Sequence, residues 1–142
     1  MKKVVFKNVL PIQVRFSDVD IMGHVSNTIY QNYYDSGKVN YFDEVLPDMD
    51  FVNTGVVGAS VKIDYLKPIF MKTRILVKTR VAVLGHKSLT MEHCLVDEHT
   101  GEILSTSSTV LVCYSIKEKV SIPIPERWRK NILNYDTGVV VK

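Results

Sequence analysis

Apolar and polar positions alternate in the first part of the chain. Ile12, Val14 and Phe16 interleave with Gln13, Arg15 and Ser17, a period of two that predicts a short half-buried strand ending at Asp18-Val19-Asp20. The period then changes. Ile29, Tyr30, Tyr33, Tyr34, Gly37, Tyr41, Phe42 and Val45 recur three and four residues apart, which predicts a helix with a wide apolar stripe ending near Pro47. Gly23 marks a turn before it, and Ser26 and Asn27 are residue types that favour a helix start because their side chains can satisfy free backbone N–H groups.

Alternation returns with Val57, Ala59, Val61, Ile63 and Tyr65, a strand closed by Pro68. A second run over 73–84 turns at Gly85-His86-Lys87, a third covers 89–96, and Asp97-Glu98-His99-Thr100-Gly101 leads into a long β-branched strand over 102–115. Pro123 and Pro125 end regular pairing, and Trp128 and Ile132 are expected to pack the C-terminus back on the body. A strand, a long helix and four consecutive strands joined by tight turns predict an α+β fold, with a long central helix wrapped by a curled antiparallel β-sheet. With 142 residues and 46% hydrophobic composition, positions 1–142 fit one domain with one core.

Several function classes drop out. No apolar run approaches the roughly 20 residues that cross a bilayer, and the first residues lack a signal-peptide core, so the expectation is a soluble cytoplasmic protein without a membrane partner. A net charge of +3 is too small to suggest nucleic acid. The charge is unevenly spread, because Lys62, Lys67, Lys72, Arg74, Lys78, Arg80 and Lys87 face the single acid Asp64 across 62–87. That stretch suits either a solvated sheet face or a phosphorylated ligand. Cys94 and Cys113 sit in strand-like runs without CxxC spacing and read as core thiols. His24, His86, His93 and His99 lack metal-ligand spacing, so no metal is expected. GxSxG, Walker and GxGxxG elements are absent, which removes serine-hydrolase, nucleoside-triphosphatase and dinucleotide readings.

The candidate chemistry lies between the first strand and the helix. The run Arg15-Phe16-Ser17-Asp18-Val19-Asp20-Ile21-Met22-Gly23-His24-Val25-Ser26-Asn27 sets carboxylates just before a helix N-terminus. Free N–H groups and the positive end of the helix dipole there can stabilise the oxyanion of an acyl transfer, and a carboxylate nearby can attack or activate water. The same residues also serve as ordinary caps and turn formers.

The motif Asp-x-x-Gly-His-Val-x-Asn, followed by Tyr30 and Tyr33-Tyr34-Asp35, resembles the signature of hotdog-fold thioesterases of the 4-hydroxybenzoyl-CoA thioesterase type. Asp64-Tyr65-Leu66-Lys67-Pro68, Leu84-Gly85-His86-Lys87-Ser88 and Ile122-Pro123-Ile124-Pro125 are similar to those enzymes as well. The resemblance implies hydrolysis of an acyl-CoA to free acid and CoA, no cofactor, and a homodimer or homotetramer. It maps the catalytic carboxylate onto Asp20, as nucleophile or general base, and leaves Asp18 as an orienting neighbour. It maps the oxyanion donor onto the backbone of Asn27, with Gly23 shaping the turn and His24 near the thioester. Lys62, His86, Lys87 and Ser88 are implied at the CoA arm, against a plain hairpin turn for the last three. Asp35 stands in reserve as a helix acid, or as an acid paired with Lys38. Gln31, Asn32 and Gly37 depart from the family pattern at the acyl pocket. Two alternatives stay open: hydrolysis of acyl carrier protein thioesters, and non-catalytic acyl-CoA binding or sensing.

Overall fold

The computed structural model describes residues 4–142. Strand β1 is Asn8–Ile12, helix α1 is Asn27–Val45, and strands β2 (Thr54–Tyr65), β3 (Ile75–Leu84), β4 (Ser88–Asp97) and β5 (Ile103–Ser115) follow. A two-residue strand β6 (Val120–Ser121), helix α2 (Glu126–Tyr135) and a two-residue strand β7 (Val140–Val141) complete the chain. The sheet order is β1-β3-β4-β5-β2, with β6 beside β5 and β7 beside β3. All pairs are antiparallel except β3 with β7.

Helix α1 starts at the expected Ser26–Asn27 and buries the expected stripe: Tyr30, Tyr33, Tyr34, Gly37, Tyr41, Phe42 and Val45. Gly37 is where the helix comes closest to the sheet. A Cβ there would stand 2.8 Å from Val77 Cγ2 and 2.9 Å from Thr79 Oγ1, so only hydrogen fits between helix and strand. The buried apolar residues form two clusters along the helix. One gathers Val14, Val25, Tyr30, Tyr33, Tyr34, Ile69, Ile75, Val77, Leu95 and Leu104 at its N-terminal end. The other runs from Tyr41 and Phe42 to Trp128 and Ile132.

Three elements differ from the sequence reading. The first strand lies earlier, at β1, and Phe16–Asp18 is a 3-10 turn with Phe16 84% exposed. Pairing with β3, in the register Asn8↔Thr79 to Ile12↔Ile75, fixes that strand and leaves Phe16 beyond the sheet. The four later strands are not all joined by tight turns. β2 pairs with β5, at the far edge from β1, so residues 66–74 cross the end of the sheet before β3 begins. The alternation in β2 is real, yet Val57, Val61 and Tyr65 stay about half exposed because β2 is an edge strand that no other described strand covers on its outer side. The tail, expected only to pack back, forms α2, and its Trp128 and Ile132 are buried as expected.

Cys94 and Cys113 are buried free thiols, both pushed up to about 11 by burial. Among the described residues no helix is long and apolar enough to cross a membrane. Among them, no three His, Cys, Asp or Glu side chains gather as a metal would require.

Candidate active site

The loop between the 3-10 turn and α1 folds on itself. Asp20 N–H donates to the His24 carbonyl at 2.8 Å, and Gly23 N–H donates to the Asp20 carbonyl at 3.0 Å. Gly23 sits at φ 81°, with open space where a Cβ would point. The requirement for glycine there is therefore conformational rather than steric. The Asp20 carboxylate is held by one oxygen: Met22 N–H donates to Oδ1 at 2.9 Å, an Asx-type turn. Its other oxygen has no partner among the described residues, and the residue is exposed.

The returning strand of the loop is pinned to the segment that crosses the sheet end. Val25 N–H donates to the Ile69 carbonyl at 2.8 Å, and His24 bridges to Phe70, whose ring meets the imidazole edge-on at 5.1 Å. Helix α1 then opens without a cap. Ser26 makes no side-chain bond to the helix backbone; its hydroxyl pairs with the Thr28 hydroxyl at 3.2 Å, and no acid occupies the first turn. The first N–H groups of a helix have no partner within it, so those of Asn27 and Thr28 are open to a bound group.

A cleft of about 210 Å³ adjoins this helix end, lined by His24, Asn27, Tyr30, Tyr65 and Lys67 among others. The Tyr30 and Tyr65 rings meet at 4.8 Å in a T-shaped contact, and the Tyr65 hydroxyl donates to the Asn27 carbonyl at 3.3 Å. Burial and then Tyr65 raise the Tyr30 phenol above its ordinary range, so it stays a neutral donor. Larger clefts of about 510 and 340 Å³ lie along β1 and at the C-terminal end of α1, away from the open helix start, and a third of about 300 Å³, lined by Arg15, Asp18, Ile29 and Tyr33 among others, lies against the first turns of α1. Volume alone would favour those; an uncapped helix beside a free carboxylate oxygen is what acyl-transfer chemistry needs.

The family of this chain follows from residues 14–132, which match the thioesterase-like superfamily. The chain belongs to that superfamily. Its helix-on-sheet architecture is the hotdog arrangement, and solved structures of relatives superpose on it closely. A thioesterase from Thermus thermophilus, solved with coenzyme A and zinc, is 32% identical over 91% of this chain and 99% of its own, with a TM-score of 0.80. A thioesterase-superfamily protein from Jannaschia sp. CCS1 is 26% identical over 94% of this chain and 85% of its own, with a TM-score of 0.85. The uncharacterized YsmA protein of Bacillus subtilis is 25% identical over 123 residues, 87% of this chain and 83% of its own.

Within this thioesterase-like chain, Asp20, Gly23 and His24 share the loop that leads into the helix start, and His24 and Asn27 line the cleft there. Asp20 tops the loop and is not among the residues that line the cleft. The implied CoA contacts do not join them. His86, Lys87 and Ser88 form the β3–β4 turn, where Ile124 N–H donates to the His86 carbonyl, Cys113 N–H to that of Lys87, and Arg129 binds the carbonyls of Gly85 and His86. β3 separates that turn from the helix start by its ten residues, a span of roughly 30 Å at about 3.3 Å per residue. A pantetheine arm held at Asn27 does not reach so far within one chain. Lys62 lies on β2, 77% exposed, with its ammonium 3.4 Å from Asp64. Asp35 takes the paired role weighed for it: Lys38 lies 3.2 Å from its Oδ1, and Gln31 donates to the same oxygen at 2.9 Å.

Sequence reasoning assigned no role in the site to Tyr65 and Lys67, which line the cleft, although both stand in the Asp64-Tyr65-Leu66-Lys67-Pro68 run that carries the resemblance.

Proposed function

We propose that the chain is an acyl-CoA thioesterase that hydrolyses its substrate to free acid and CoA. The observation that carries this reading is the uncapped start of α1 at the end of the loop that presents the exposed Asp20, whose second carboxylate oxygen meets no partner among the described residues. The thioester carbonyl would accept from the Asn27 N–H, which would stabilise the tetrahedral oxyanion together with the helix dipole. Asp20 would act as nucleophile or as general base toward water, and His24 and the Tyr30–Tyr65 pair would flank the acyl group. The coenzyme A bound by the Thermus relative supports CoA as the carrier. No cofactor enters this chemistry.

The same reading includes self-association in the cytoplasm. β2 is a twelve-residue edge strand, exposed on both faces over most of its length, and Tyr65 and Leu66 bring that edge to the cleft. A homodimer, or a homotetramer built from it, would cover this edge and bring a second chain's Lys62, His86, Lys87 and Ser88 within reach of a CoA molecule.

The test is free-thiol release from short, long and aromatic acyl-CoAs, with Asp20→Asn and Asp35→Asn variants and mass measurement in solution. The expected result is turnover lost in folded Asp20→Asn and retained in Asp35→Asn. Binding of acyl-CoA without turnover would replace this reading with a sensor.

A further inference from the structure

Asp18, the first acid of the Asp-Val-Asp segment, does not line the cleft at the helix start; with Arg15 and Tyr33 it borders a separate cleft of about 300 Å³. Its Oδ2 accepts the Tyr33 hydroxyl at 2.7 Å and the Arg15 N–H at 2.9 Å. Its own carbonyl accepts Ser26 N–H at 2.9 Å, and its N–H donates to the Arg15 carbonyl at 2.9 Å. One residue on, Val19 bridges to Val25. Asp18 is thus tied to the chain leaving β1, to the residue before Asn27, and to the helix interior through a tyrosine that is 5% exposed.

The loop beyond has no comparable anchor. Ile21, Met22 and Gly23 are exposed, and the bonds of 20–23 close only within the loop, to Asp20 and His24. The placement of Asp20 against the Asn27 N–H is therefore set at the two ends of the loop. At the near end Asp18, beside the Val19–Val25 bridge, joins the chain leaving β1 to the helix interior and to Ser26. At the far end Val25 is held by Ile69.

We propose that Tyr33 and Asp18 form a positioning brace that fixes Asp20 relative to the open helix N-terminus, without either residue touching substrate. Tyr33 suits the task because its ring is immobilised in the N-terminal cluster and its phenol stays protonated as a donor, held above its ordinary range by burial and then by the Asp18 carboxylate. A charge-assisted hydrogen bond of this kind is short and directional, which is what a positioning contact needs. The kinetic consequence rests on the thioesterase reading; the structural one does not.

The brace makes Asp18 replaceable by a group of the same shape. An asparagine in its place still offers one oxygen to both Tyr33 and Arg15, whereas a second catalytic carboxylate would not survive that change. Asp18→Ala and Tyr33→Phe are expected to lower kcat on an acyl-CoA by about 10- to 100-fold with KM within about threefold, the cost of misplacing a catalytic group by about an ångström. Asp18→Asn should stay within several-fold of the parent. Amide exchange across 20–27 should quicken roughly tenfold in Asp18→Ala and Tyr33→Phe, while β3 and β4 keep their protection.

An Asp18→Asn variant as inactive as Asp20→Asn would overturn the brace in favour of direct catalysis. Unchanged exchange in both Asp18→Ala and Tyr33→Phe would overturn it outright. A parent protein that turns over no acyl-CoA removes the thioesterase reading and leaves the exchange measurement to decide the brace alone.

Discussion

His93 is buried in β4 beneath the helix, and its protonation state ties stability to pH. Its Nδ1 lies 3.0 Å from the Thr79 hydroxyl, and its ring packs 5.4 Å from that of Tyr34. Burial pushes the imidazole down from 6.5 to about 4, Lys38 adds to that, and Asp35 opposes it. The folded state thus refuses a proton that the unfolded chain takes up below about 6.5. The stability concerned is fully present above pH 6.5 and is lost as pH falls from there toward 4. At about 1.4 kcal/mol for each tenfold difference in proton affinity between the folded and unfolded chain, the loss is about 2 kcal/mol between pH 7.5 and 5, and about 3 kcal/mol once both states are protonated. Urea denaturation at pH 7.5, 6 and 5, at one protein concentration, measures it against His93→Leu, which cannot titrate. The variant should start less stable, because the Thr79 hydroxyl loses its partner, and should fall by about 2 kcal/mol less over the same pH range. Equal slopes in the two proteins would refute the assignment. Asp35→Asn supplies the cross-check: it removes the carboxylate that steadies the imidazolium and should steepen the fall.

Gly37→Ala should be destabilising by about 1–2 kcal/mol in chemical denaturation, since about 1 kcal/mol of helix propensity gained is outweighed by forcing Val77 and Thr79, both branched at Cβ, away from the helix. Asp136→Ala should cost about 3 kcal/mol by the same assay, because the buried carboxylate accepts the Tyr41 hydroxyl at 2.6 Å and the Val81 N–H at 2.9 Å, and its loss strands both donors.

The sequence makes the helix and the three hairpin strands legible because each has a strong period and a marked end. Ser26 and Asn27 announce the helix start, and Gly85 and Gly101 close the turns on either side of β4. Strand order is not legible. The alternation of Val57 to Tyr65 says that β2 has two faces, yet an edge strand half exposed on its inner face leaves no mark of which neighbour it pairs with. The first strand lies ahead of its expected place because Gln13 to Phe16 continues a period of two that the pairing with β3, which ends at Ile12, does not use. Helix α2 does carry an amphipathic pattern, with Trp128 and Ile132 four apart as its buried face, and the two prolines ahead of it mask its start rather than its period. At the site, the motif locates the loop and the helix end, and it does not say where each carboxylate points. That depends on a tyrosine fifteen residues from Asp18, a contact between a loop and a helix interior that no local pattern encodes.

The division of the core accounts for how such a loop can be exposed and still be precise. Between the two apolar clusters runs a polar row, Thr79, His93 and Ser107, each directly opposite the next across β3, β4 and β5. Gly37 closes the helix onto its first member. The C-terminal cluster holds the tail through Asp136, Tyr41 and Val81, and no residue of the site belongs to it. The N-terminal cluster holds the parts that fix the loop: Tyr33 to Asp18, Val25 to Ile69, and Tyr34 through the Ser105 hydroxyl, at 2.6 Å, to the carbonyl of Asp64 in β2. A loop with few contacts of its own inherits the rigidity of whatever it is tied to, and here each tie ends on a buried side chain or on backbone paired with the cluster. The row centred on His93 borders that support, so protonation of His93 in acid should loosen the bed of the site.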